Sequence, residues 1–372
     1  MNVELNVQPL DGGFAGVPTY LRNLIAALET RHPSVALHFA ADHVVEELPR
    51  DRQTLVSPPI RDLKGKLLWE NLRYPLHTLA SRPDIVHIPY HATTCWGGGR
   101  RVITIHDCFL WDHPPTARSE RVDLWLLGQA ARRAHLIITD SLFSANMIER
   151  LFRIDRDRIH VTPLACAPDI VVERPSAEVD VFRARYGIGA RSIFYAGGTA
   201  AHKNVAALVK AYGLLEPDLR ATTNLVIAGR VGNDAPHHLA IHAAIADLAG
   251  PGRVILTGLL PQEELGTAYQ SASLFAFPSL YEGFGLAPLE AMACSLPVIV
   301  SDRASIPEVV GDAGIIVNPL DHTALAAAFT RVLGDPAREQ AMRQASRARA
   351  ATFTWNRTAD LTVDAYRAAL SR

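Results

Sequence analysis

The sequence predicts an α/β protein built from two open parallel sheets. Short apolar runs rich in β-branched residues alternate with longer stretches of helical spacing, which is typical of parallel sheets covered by helices on both faces. The chain has 372 residues, which at roughly 150 residues a domain suits two or three domains. The alternation breaks once, after Pro163, and similar numbers of apolar runs lie on either side of this break.

The individual strands are predicted from short apolar runs bounded by Gly, Pro, Asp or Ser. In the first half they are Val35–Ala40, Ile85–Ile88, Val102–Ile105, Leu136–Thr139 and Ile159–Val161. In the second half they are Ser192–Ala196, Thr223–Ala228, Val254–Thr257, Leu274–Phe277, Val298–Ser301 and Gly314–Val317. A C-terminal helix is also expected, because Thr354 can cap a segment whose apolar residues recur near the helical period up to Leu370.

The break between Pro163 and about Ser192 reads as a linker followed by a charged helix. We therefore expect an N-terminal Rossmann-like domain over residues 1–168 and a second Rossmann-like domain over 169–352. Residues 353–372 should form a helix that packs back on the first domain. Ligands of open parallel sheets bind beyond the carboxyl ends of the strands, so we expect the chemistry in a cleft between two facing sheets.

Composition and charge exclude several classes of protein. Apolar residues make up 48% and charged residues 20%, which excludes a disordered chain. The net charge is 37 minus 38, or -1, so a nucleic-acid partner is not expected. Four scattered cysteines indicate neither a disulfide nor a zinc site. No secretion signal or membrane-spanning run is evident, and the expected location is cytoplasmic.

The most informative stretch runs from Phe277 to Ala293. It leaves a predicted strand, turns through Gly283 and Gly285, and enters a helix with Pro288 at an early position, where a missing N–H has no cost. Such a turn presents free backbone N–H groups and the positive end of a helix dipole. The stretch therefore predicts a site for a phosphate or pyrophosphate.

Two glutamates of this stretch are candidate ligand-binding residues. Glu282 precedes the turn, and Glu290 follows eight positions later, in what we expect to be the first helical turn. Their carboxylates can bind hydroxyl groups of a sugar and of a ribose in one pocket. The alternative is structural: Glu290 complements the helix dipole, and Glu282 is a solvated loop residue.

A second glycine turn follows the strand ending at Ala196. Gly197 opens this turn, and Lys203 lies where its ammonium can meet a phosphate as a point charge, most strongly when a leaving diphosphate gains negative charge. We expect it to stabilise the transition state. The alternative is an exposed lysine in the first turn of a helix, where its charge would oppose the dipole.

The first half contributes two further candidates. His106 ends a buried strand, where it can donate to a substrate hydroxyl or share a proton with a leaving group, and Asp107 caps or orients. Near the N-terminus, Gly13 and Gly16 join a strand to a helix that starts near Pro18, so backbone can approach a ligand there. The alternatives are structural: His106 can be an ordinary structural histidine, and the glycines can simply form a tight turn.

These motifs together resemble the retaining glycosyltransferases of family 4, with the GT-B architecture and an E-x7-E signature. The similarity extends over nearly the whole chain and includes the His-Asp pair, the Lys-Asn pair and the Phe-Thr-Trp tail. It implies a nucleotide-sugar donor, with Glu282 near the donor sugar and Glu290 on the ribose. It further implies diphosphate and sugar contacts from the backbone of Phe284, Gly285 and Leu286, and a donor-sugar contact from His106.

The chain departs from this family at one position. Similar enzymes often have an arginine after the first glycine of the turn, where it clamps the diphosphate together with the lysine. Gly198 stands at that position here. Arg230, which follows the next strand, is the candidate replacement, and an ordinary surface arginine is the alternative.

No metal site is expected. Asp155 and Asp157 have the spacing of a metal-binding pair but lie in a polar connector, which indicates turn chemistry. His238 and His242 could share one helix face, but no third ligand accompanies them. The expected enzyme is therefore metal-independent and has no cofactor.

A membrane contact is a further candidate. The stretch Arg61–Pro75 mixes basic residues with Leu67, Leu68, Trp69 and Leu72, a pattern that can rest on an anionic membrane surface. A packed amphipathic helix with a solvated basic edge is the simpler alternative.

The sequence thus predicts a hexosyltransferase of surface polysaccharide or lipopolysaccharide assembly. Mannose from GDP-mannose is the favoured donor group, and the acceptor is a saccharide or lipid-linked saccharide; both follow from the resemblance alone. A nucleotide-sugar 2-epimerase of the same architecture and a non-catalytic sugar-nucleotide-binding subunit are the alternatives.

Overall fold

A computed structural model describes residues 1–12, 16–57, 59–60, 62–114, 118–232 and 235–372 of the chain. They divide into two compact units. Unit 1 comprises Met1–Leu164 and Thr354–Arg372, and unit 2 comprises Ala165–Phe353. Each unit contains one parallel sheet with helices on its faces, which confirms the predicted α/β class.

The sheet of unit 1 has seven strands. They are β1 Asn2–Asn6, β2 Ala36–Ala41, β3 Gln53–Leu55, β4 Ile85–Ile88, β5 Arg100–Thr104, β6 Leu136–Thr139 and β7 Ile159–Val161. Their order is β3-β2-β1-β4-β5-β6-β7, and every pairing is parallel. The strand order reverses between β1 and β4, which makes this pair the topological switch point of the sheet.

The sheet of unit 2 has six strands. They are β8 Arg191–Ala196, β9 Thr223–Ala228, β10 Arg253–Gly258, β11 Leu274–Phe277, β12 Val298–Ser301 and β13 Ile315–Val317. Their order is β10-β9-β8-β11-β12-β13, again with parallel pairing throughout. The switch point of this sheet lies between β8 and β11.

Helices connect the strands in both units. They are α1 Gly16–Arg31, α2 Leu63–Leu68, α3 Tyr74–Ser81, α4 Phe109–Asp112, α5 Arg118–Arg133, α6 Leu142–Phe152, α7 Ser176–Tyr186, α8 Val205–Gly213, α9 Pro217–Thr222, α10 Pro236–Ala246, α11 Gln262–Gln270, α12 Leu286–Ala293, α13 Ile306–Val310, α14 His322–Leu333, α15 Pro336–Ala350 and α16 Trp355–Leu370. A π-helical turn, Trp69–Arg73, joins α2 to α3. Within the described ranges, none of the helices is both long and apolar enough to span a bilayer.

All strands predicted from apolar runs are present, with ends that differ by at most two residues. The strands predicted with defined ends lack β1 and β3, although the glycine turn at Gly13 and Gly16 predicted a strand before it. β1 was obscured because Glu4 and Asn6 interrupt its apolar run, although both side chains are buried. Glu4 is tolerated there because its Oε2 accepts hydrogen bonds from His77 Nε2 at 2.9 Å and Ser81 Oγ at 3.1 Å. β3 is a three-residue strand at the sheet edge, too short for a periodic signal.

The C-terminal helix α16 belongs to unit 1. Thr354 caps it as predicted, with Oγ1 accepting a hydrogen bond from Arg357 N at 3.2 Å. Its buried side ties it to the rest of the unit, because Thr358 Oγ1 donates to Pro163 O at 2.6 Å and Tyr366 OH lies 2.7 Å from His87 Nδ1. The helix thereby completes the layer that α1 begins on one face of the seven-stranded sheet.

Candidate functional site

The motifs of unit 2 meet at the carboxyl edge of its sheet. β8 and β11 are hydrogen-bonded neighbours at the switch point. The segment after β8 contains Lys203, and the segment after β11 contains Glu282. Because the connections from two such strands leave on opposite faces of the sheet, a crevice opens between them, which is the usual ligand position in this architecture.

Lys203 and Glu282 form an ion pair in this crevice. Lys203 Nζ donates to Glu282 Oε1 at 2.6 Å, and the two side chains are only 19% and 14% exposed. The ammonium also lies 6.0 Å from the centroid of the Phe277 ring. A charge-assisted hydrogen bond between partly buried groups fixes the ammonium and the carboxylate next to each other. The structure therefore brings two of the predicted catalytic residues into direct contact.

Lys203 is positioned by a short turn that precedes helix α8. It ends the 3₁₀ turn Ala201–Lys203, so the alternative interpretation, an exposed lysine in the first turn of a helix, is wrong. Asn204 follows in the left-handed conformation, with φ of 56°. Its Nδ2 donates to Pro319 O at 2.9 Å and to Pro278 O at 3.3 Å, which fastens the turn to the segment after β11.

The glycine turn after β8 is held by close backbone packing. Gly197 has φ of 149°, and Tyr195 OH donates to Gly198 O at 2.5 Å. A Cβ at Gly229, on the neighbouring turn after β9, would lie 2.4 Å from Gly197 O. The two turns thus touch through their main chains, and a side chain at Gly229 would separate them.

Arg230 contributes its backbone to the same place. Thr199 Oγ1 donates to Arg230 O at 2.6 Å and lies 2.9 Å from His238 Nε2. Since the hydroxyl donates its proton to the carbonyl, it accepts the bond from His238. The side chain of Arg230 is exposed to solvent. Its role as a replacement for the arginine missing at Gly198 stays a prediction.

The loop after β11 ends at the N-terminus of helix α12, which is suited to binding an anion. Gly285 has φ of 110° and precedes the first residue of α12, Leu286, without a side chain that could cap the helix. Ser305 Oγ lies 2.9 Å from Glu282 O and 2.8 Å from Phe284 O, which fixes the loop. The Phe284 ring packs edge-on against Phe353 at 5.9 Å.

Glu290 lies deeper along α12. It is the fifth residue of this helix, so the expectation that it belongs to the first helical turn is wrong. Tyr269 OH donates to its Oε2 at 2.8 Å. Burial raises the pKa of Glu290 to about 7, and the hydrogen bond from Tyr269 opposes this rise only in part. Glu290 is therefore close to its midpoint of ionisation near neutral pH.

The remaining candidates belong to unit 1. His106 follows β5 and is 19% exposed, with Nδ1 2.7 Å from Asp140 Oδ2 and Nε2 3.2 Å from Pro89 O. Gly16 is the first residue of α1, which begins before the expected Pro18. Gly13 lies outside the described residues.

The two metal-like patterns have other partners. Asp157 Oδ2 accepts a hydrogen bond from Arg372 at 2.7 Å, and Asp155 precedes a 3₁₀ turn. His242 Nε2 lies 3.2 Å from the backbone oxygen of Gly232. Over the part of the chain that the structure describes, no three His, Cys, Asp or Glu side chains are grouped as metal ligands.

Several residues that orient the candidate side chains within each unit were not predicted from the sequence. They are Tyr195, Tyr269, Ser305 and Asp140, each of which acts through one hydrogen bond or a pair of them. A tyrosine inside a strand or helix has the same pattern as a core residue. Asn204 also orients the site of unit 2, and its residue type is a sequence signal, because asparagine is enriched in left-handed turns.

Two family models match the chain. The model described as Glycosyltransferase Family 4 matches residues 14–169, and that described as Glycosyl transferases group 1 matches residues 181–349. O-antigen chain mannosyltransferase B of Escherichia coli is 33% identical over 271 residues, covering 72% of this chain and 70% of that protein. The serotype-specific mannosyltransferase WbdA of Escherichia coli is 31% identical over 237 residues, and this alignment covers 63% of this chain but only 29% of WbdA.

The fold also matches solved structures. Anabaena Alr3699/HepE, crystallised in complex with UDP-glucose, superimposes with a TM-score of 0.72 at 16% identity. The match covers 98% of this chain and 99% of that one. At this identity the likeness shows the shared GT-B type of fold.

Glu290→Gln should remove a pH-dependent cost of burying charge. The folded pKa of about 7 lies above the ordinary value of 4.5, so the unfolded state loses its proton first and stability falls as pH rises from about 4.5 to 7. The glutamine variant lacks this loss. Its free energy of unfolding relative to wild type should grow across that range and level off above it, as measured by urea unfolding. A difference that stays flat in pH would contradict the raised pKa; exposed Glu263→Gln is the control.

Proposed function

Because this chain belongs to glycosyltransferase family 4 and is a hexosyltransferase, we propose that it transfers mannose from GDP-mannose, with retention, to a saccharide or lipid-linked saccharide of a bacterial surface polysaccharide. The ion pair of Lys203 and Glu282 between two glycine turns at the switch point carries the proposal. The O-antigen mannosyltransferase supports the sugar and the pathway. The UDP-glucose complex of HepE supports a nucleotide-sugar donor.

In this proposal Lys203 stabilises the leaving group. The bond between the anomeric carbon and the diphosphate oxygen breaks, and the acceptor hydroxyl forms its bond on the same face of an oxocarbenium-like centre. The hydroxyl proton leaves with the diphosphate. Because negative charge grows on the diphosphate as the bond breaks, the Lys203 ammonium and the amides at the start of α12 stabilise the transition state more than the ground state.

The other donor contacts divide among the remaining residues. Glu282 positions the hydroxyls of the donor sugar, and Glu290 accepts hydrogen bonds from the ribose. The backbone of Gly197, Phe284, Gly285 and Leu286 approaches the diphosphate and the sugar, and Arg230 supplies a second cation. A lysine and helix-end amides provide the charge that a metal ion would otherwise supply, so the proposed reaction is metal-independent.

The two alternatives are not favoured. The family matches and the relatives are transferases, whereas a 2-epimerase would release its sugar without an acceptor. A non-catalytic subunit would have no need for a lysine paired to a glutamate at the ligand edge. Product analysis by mass spectrometry and NMR separates a transferred sugar from an epimerised one.

A ridge of exposed leucines on unit 1 favours contact with a membrane. The ridge consists of Leu68, Leu72, Leu76 and Leu79, which are 45%, 44%, 51% and 48% exposed. They recur every three or four residues along the helical run from α2 to α3, so they share one face of it. A row of exposed leucines on one helix face is uncommon on a surface that contacts only water.

The opposite face of this run is anchored in the core. Trp69 is 1% exposed, stacks on Tyr74 at 4.8 Å and donates its indole N–H to Val56 O at 2.7 Å. The expectation that Trp69 belongs to the membrane-facing set is therefore wrong. Arg61, where the predicted stretch began, lies outside the described residues.

We propose that the leucine ridge rests on an anionic bilayer. Lys64 and Arg82 are exposed at the two ends of the helical run, where they can meet lipid phosphates while the leucines enter the interface. A peripheral position of this kind would bring the enzyme to a lipid-linked acceptor at the inner face of the cytoplasmic membrane.

Glu290→Gln should weaken binding of the nucleoside diphosphate. Loss of a charged acceptor for the ribose hydroxyls costs about 1 to 3 kcal/mol, or about 5- to 150-fold in affinity. Titration calorimetry with GDP measures the change, and the exposed Glu263→Gln is the matched control. An unchanged affinity would remove Glu290 from the ribose site, and tighter binding of UDP than GDP by the wild type would refute the proposed donor.

Lys203→Ala should lower turnover by about 10²- to 10³-fold, because one preorganised donor to the developing charge is lost. The rate of GDP release from saturating GDP-mannose in the presence of acceptor measures this. Lys210→Ala changes an exposed lysine of α8 and should keep the wild-type rate. Equal rates for wild type and Lys203→Ala would exclude the lysine from the reaction.

Replacing Leu68, Leu72 and Leu76 together by serine should abolish flotation with phosphatidylglycerol-containing vesicles. Leu214, Leu259 and Leu320 are 56%, 73% and 61% exposed on unit 2, so their triple serine variant is the matched control and should float like wild type. Failure of the wild type to float would sink the membrane proposal. A dimer that the ridge variant dissociates would assign the ridge to a second copy of the chain.

A further inference from the structure

Both ring nitrogens of His106 face hydrogen-bond acceptors of the protein. Nδ1 lies 2.7 Å from Asp140 Oδ2, and Nε2 lies 3.2 Å from Pro89 O. A backbone carbonyl only accepts, so Nε2 must carry a proton. A contact of 2.7 Å between Nδ1 and a carboxyl oxygen likewise needs a proton between them. Burial raises the pKa of Asp140, and the charge and hydrogen bond of His106 oppose that rise. With Asp140 ionised, the shared proton resides on Nδ1 and the imidazole has two protons.

The surroundings favour this charge state. Asp140 is 2% exposed, and its Oδ1 is buried with no hydrogen-bond partner among the described residues, so the ring is the partner of this carboxylate. Burial by itself lowers the pKa of His106, but the charge of Asp140 and its hydrogen bond outweigh burial and raise it above the ordinary range. A buried carboxylate without a cation would be costly, which makes the pair mutually dependent.

The ring is also fixed in orientation. The Tyr20 ring of α1 packs edge-on at 4.9 Å from the His106 ring. Ser144 Oγ, on α6, donates to His106 O at 3.3 Å. Tyr20 thus packs against the ring, and Ser144 holds the main chain of His106.

Other titratable groups face His106 from the neighbouring elements. Burial lowers the pKa of His87 to about 3 and that of His91 to about 4, so both are neutral at physiological pH. Burial raises the pKa of Tyr20, which keeps it protonated. Asp107 adds a second negative charge that favours the cation. Within this set, His106 is the histidine whose pKa lies above its ordinary value.

We propose that Asp140 is a positioning residue that keeps His106 doubly protonated, so that His106 acts on the donor sugar as a cationic hydrogen-bond donor. This rests on the proposed function, in which His106 contacts the sugar. An imidazole with protons on both nitrogens has no lone pair to take the proton of an acceptor hydroxyl, so His106 is not the general base. The bond to Pro89 is long at 3.2 Å, and the same Nε2–H can be shared with a sugar hydroxyl.

Asp140→Asn tests the proposal through the charge state of His106. NMR titration of the histidine ring should show a midpoint above the ordinary value of 6.5 in the wild type, with both nitrogens protonated below that midpoint. The variant should titrate at lower pH. If His106 is the cationic donor, kcat/KM falls above its midpoint, and in the variant this fall should move to lower pH together with the His106 midpoint. Activity should recover in acid.

A matched control exists in the same unit. Asp42 follows β2, is 5% exposed in its side chain, and its Oδ1 lies 2.8 Å from His43 Nδ1. Asp42→Asn therefore removes a similar buried Asp–His pair and should leave both the His106 titration and the pH profile unchanged. His106→Gln provides a second variant if Asp140→Asn does not fold, and it should abolish the basic limb of the profile because an amide does not titrate.

The outcomes separate the two proposals. An unchanged His106 midpoint in folded Asp140→Asn, or a wild-type midpoint at or below the ordinary value of 6.5, would overturn the role of Asp140. A lowered midpoint with an unaltered pH profile would overturn the action of the cation on the sugar. Absence of transfer with every nucleotide sugar would overturn the proposed function, while the titration would still decide the charge state.

Discussion

The reversal of strand order between β8 and β11 is the constraint on which the site of unit 2 depends. Right-handed crossovers place the connections from these strands on opposite faces of the sheet. The segments beyond Ala196 and Phe277 therefore leave the sheet in opposite directions, and a crevice opens between them at the edge. The glycine turns, Lys203 and Glu282 all lie in this narrow strip. The pairing order of the buried strands thus determines where the polar residues of the site can lie.

The ion pair at this edge is suited to exchange partners. Lys203 and Glu282 neutralise one another in the structure, which spares each the cost of a partly buried lone charge. In the proposed reaction the diphosphate gives the lysine a partner of higher negative charge, and the Glu282 carboxylate becomes available to sugar hydroxyls. The hydrogen bonds of Asn204 and Ser305 hold both segments in place, so only side chains need to move.

Most of the fold could be predicted from the spacing of apolar residues, whereas the candidate site could be predicted only in part. Apolar runs bounded by turn residues are a local signal, so strands such as β4 and β11 were predictable with their ends. The ends of β1 were not, because the buried Glu4 needs partners from α3 that lie more than 70 residues away. The motif residues were predictable from type and spacing. Their orienting partners were not: Tyr269 meets Glu290, and Asp140 meets His106, through contacts that tertiary packing creates.

The same limit explains why spacing alone does not assign chemistry to acidic residues. Glu282, Glu290 and Asp140 are equivalent charges in the sequence, yet each has a different environment. Glu282 faces an ammonium, Glu290 lies in a desolvated place with a tyrosine hydroxyl, and Asp140 shares a proton with an imidazole. A paired cation favours the ionised carboxylate, and burial favours the protonated one. A buried histidine beside a carboxylate makes the charge of each group depend on that of the other. The E-x7-E spacing sets where two of these carboxylates stand, and the residues packed around them set what each can do at neutral pH.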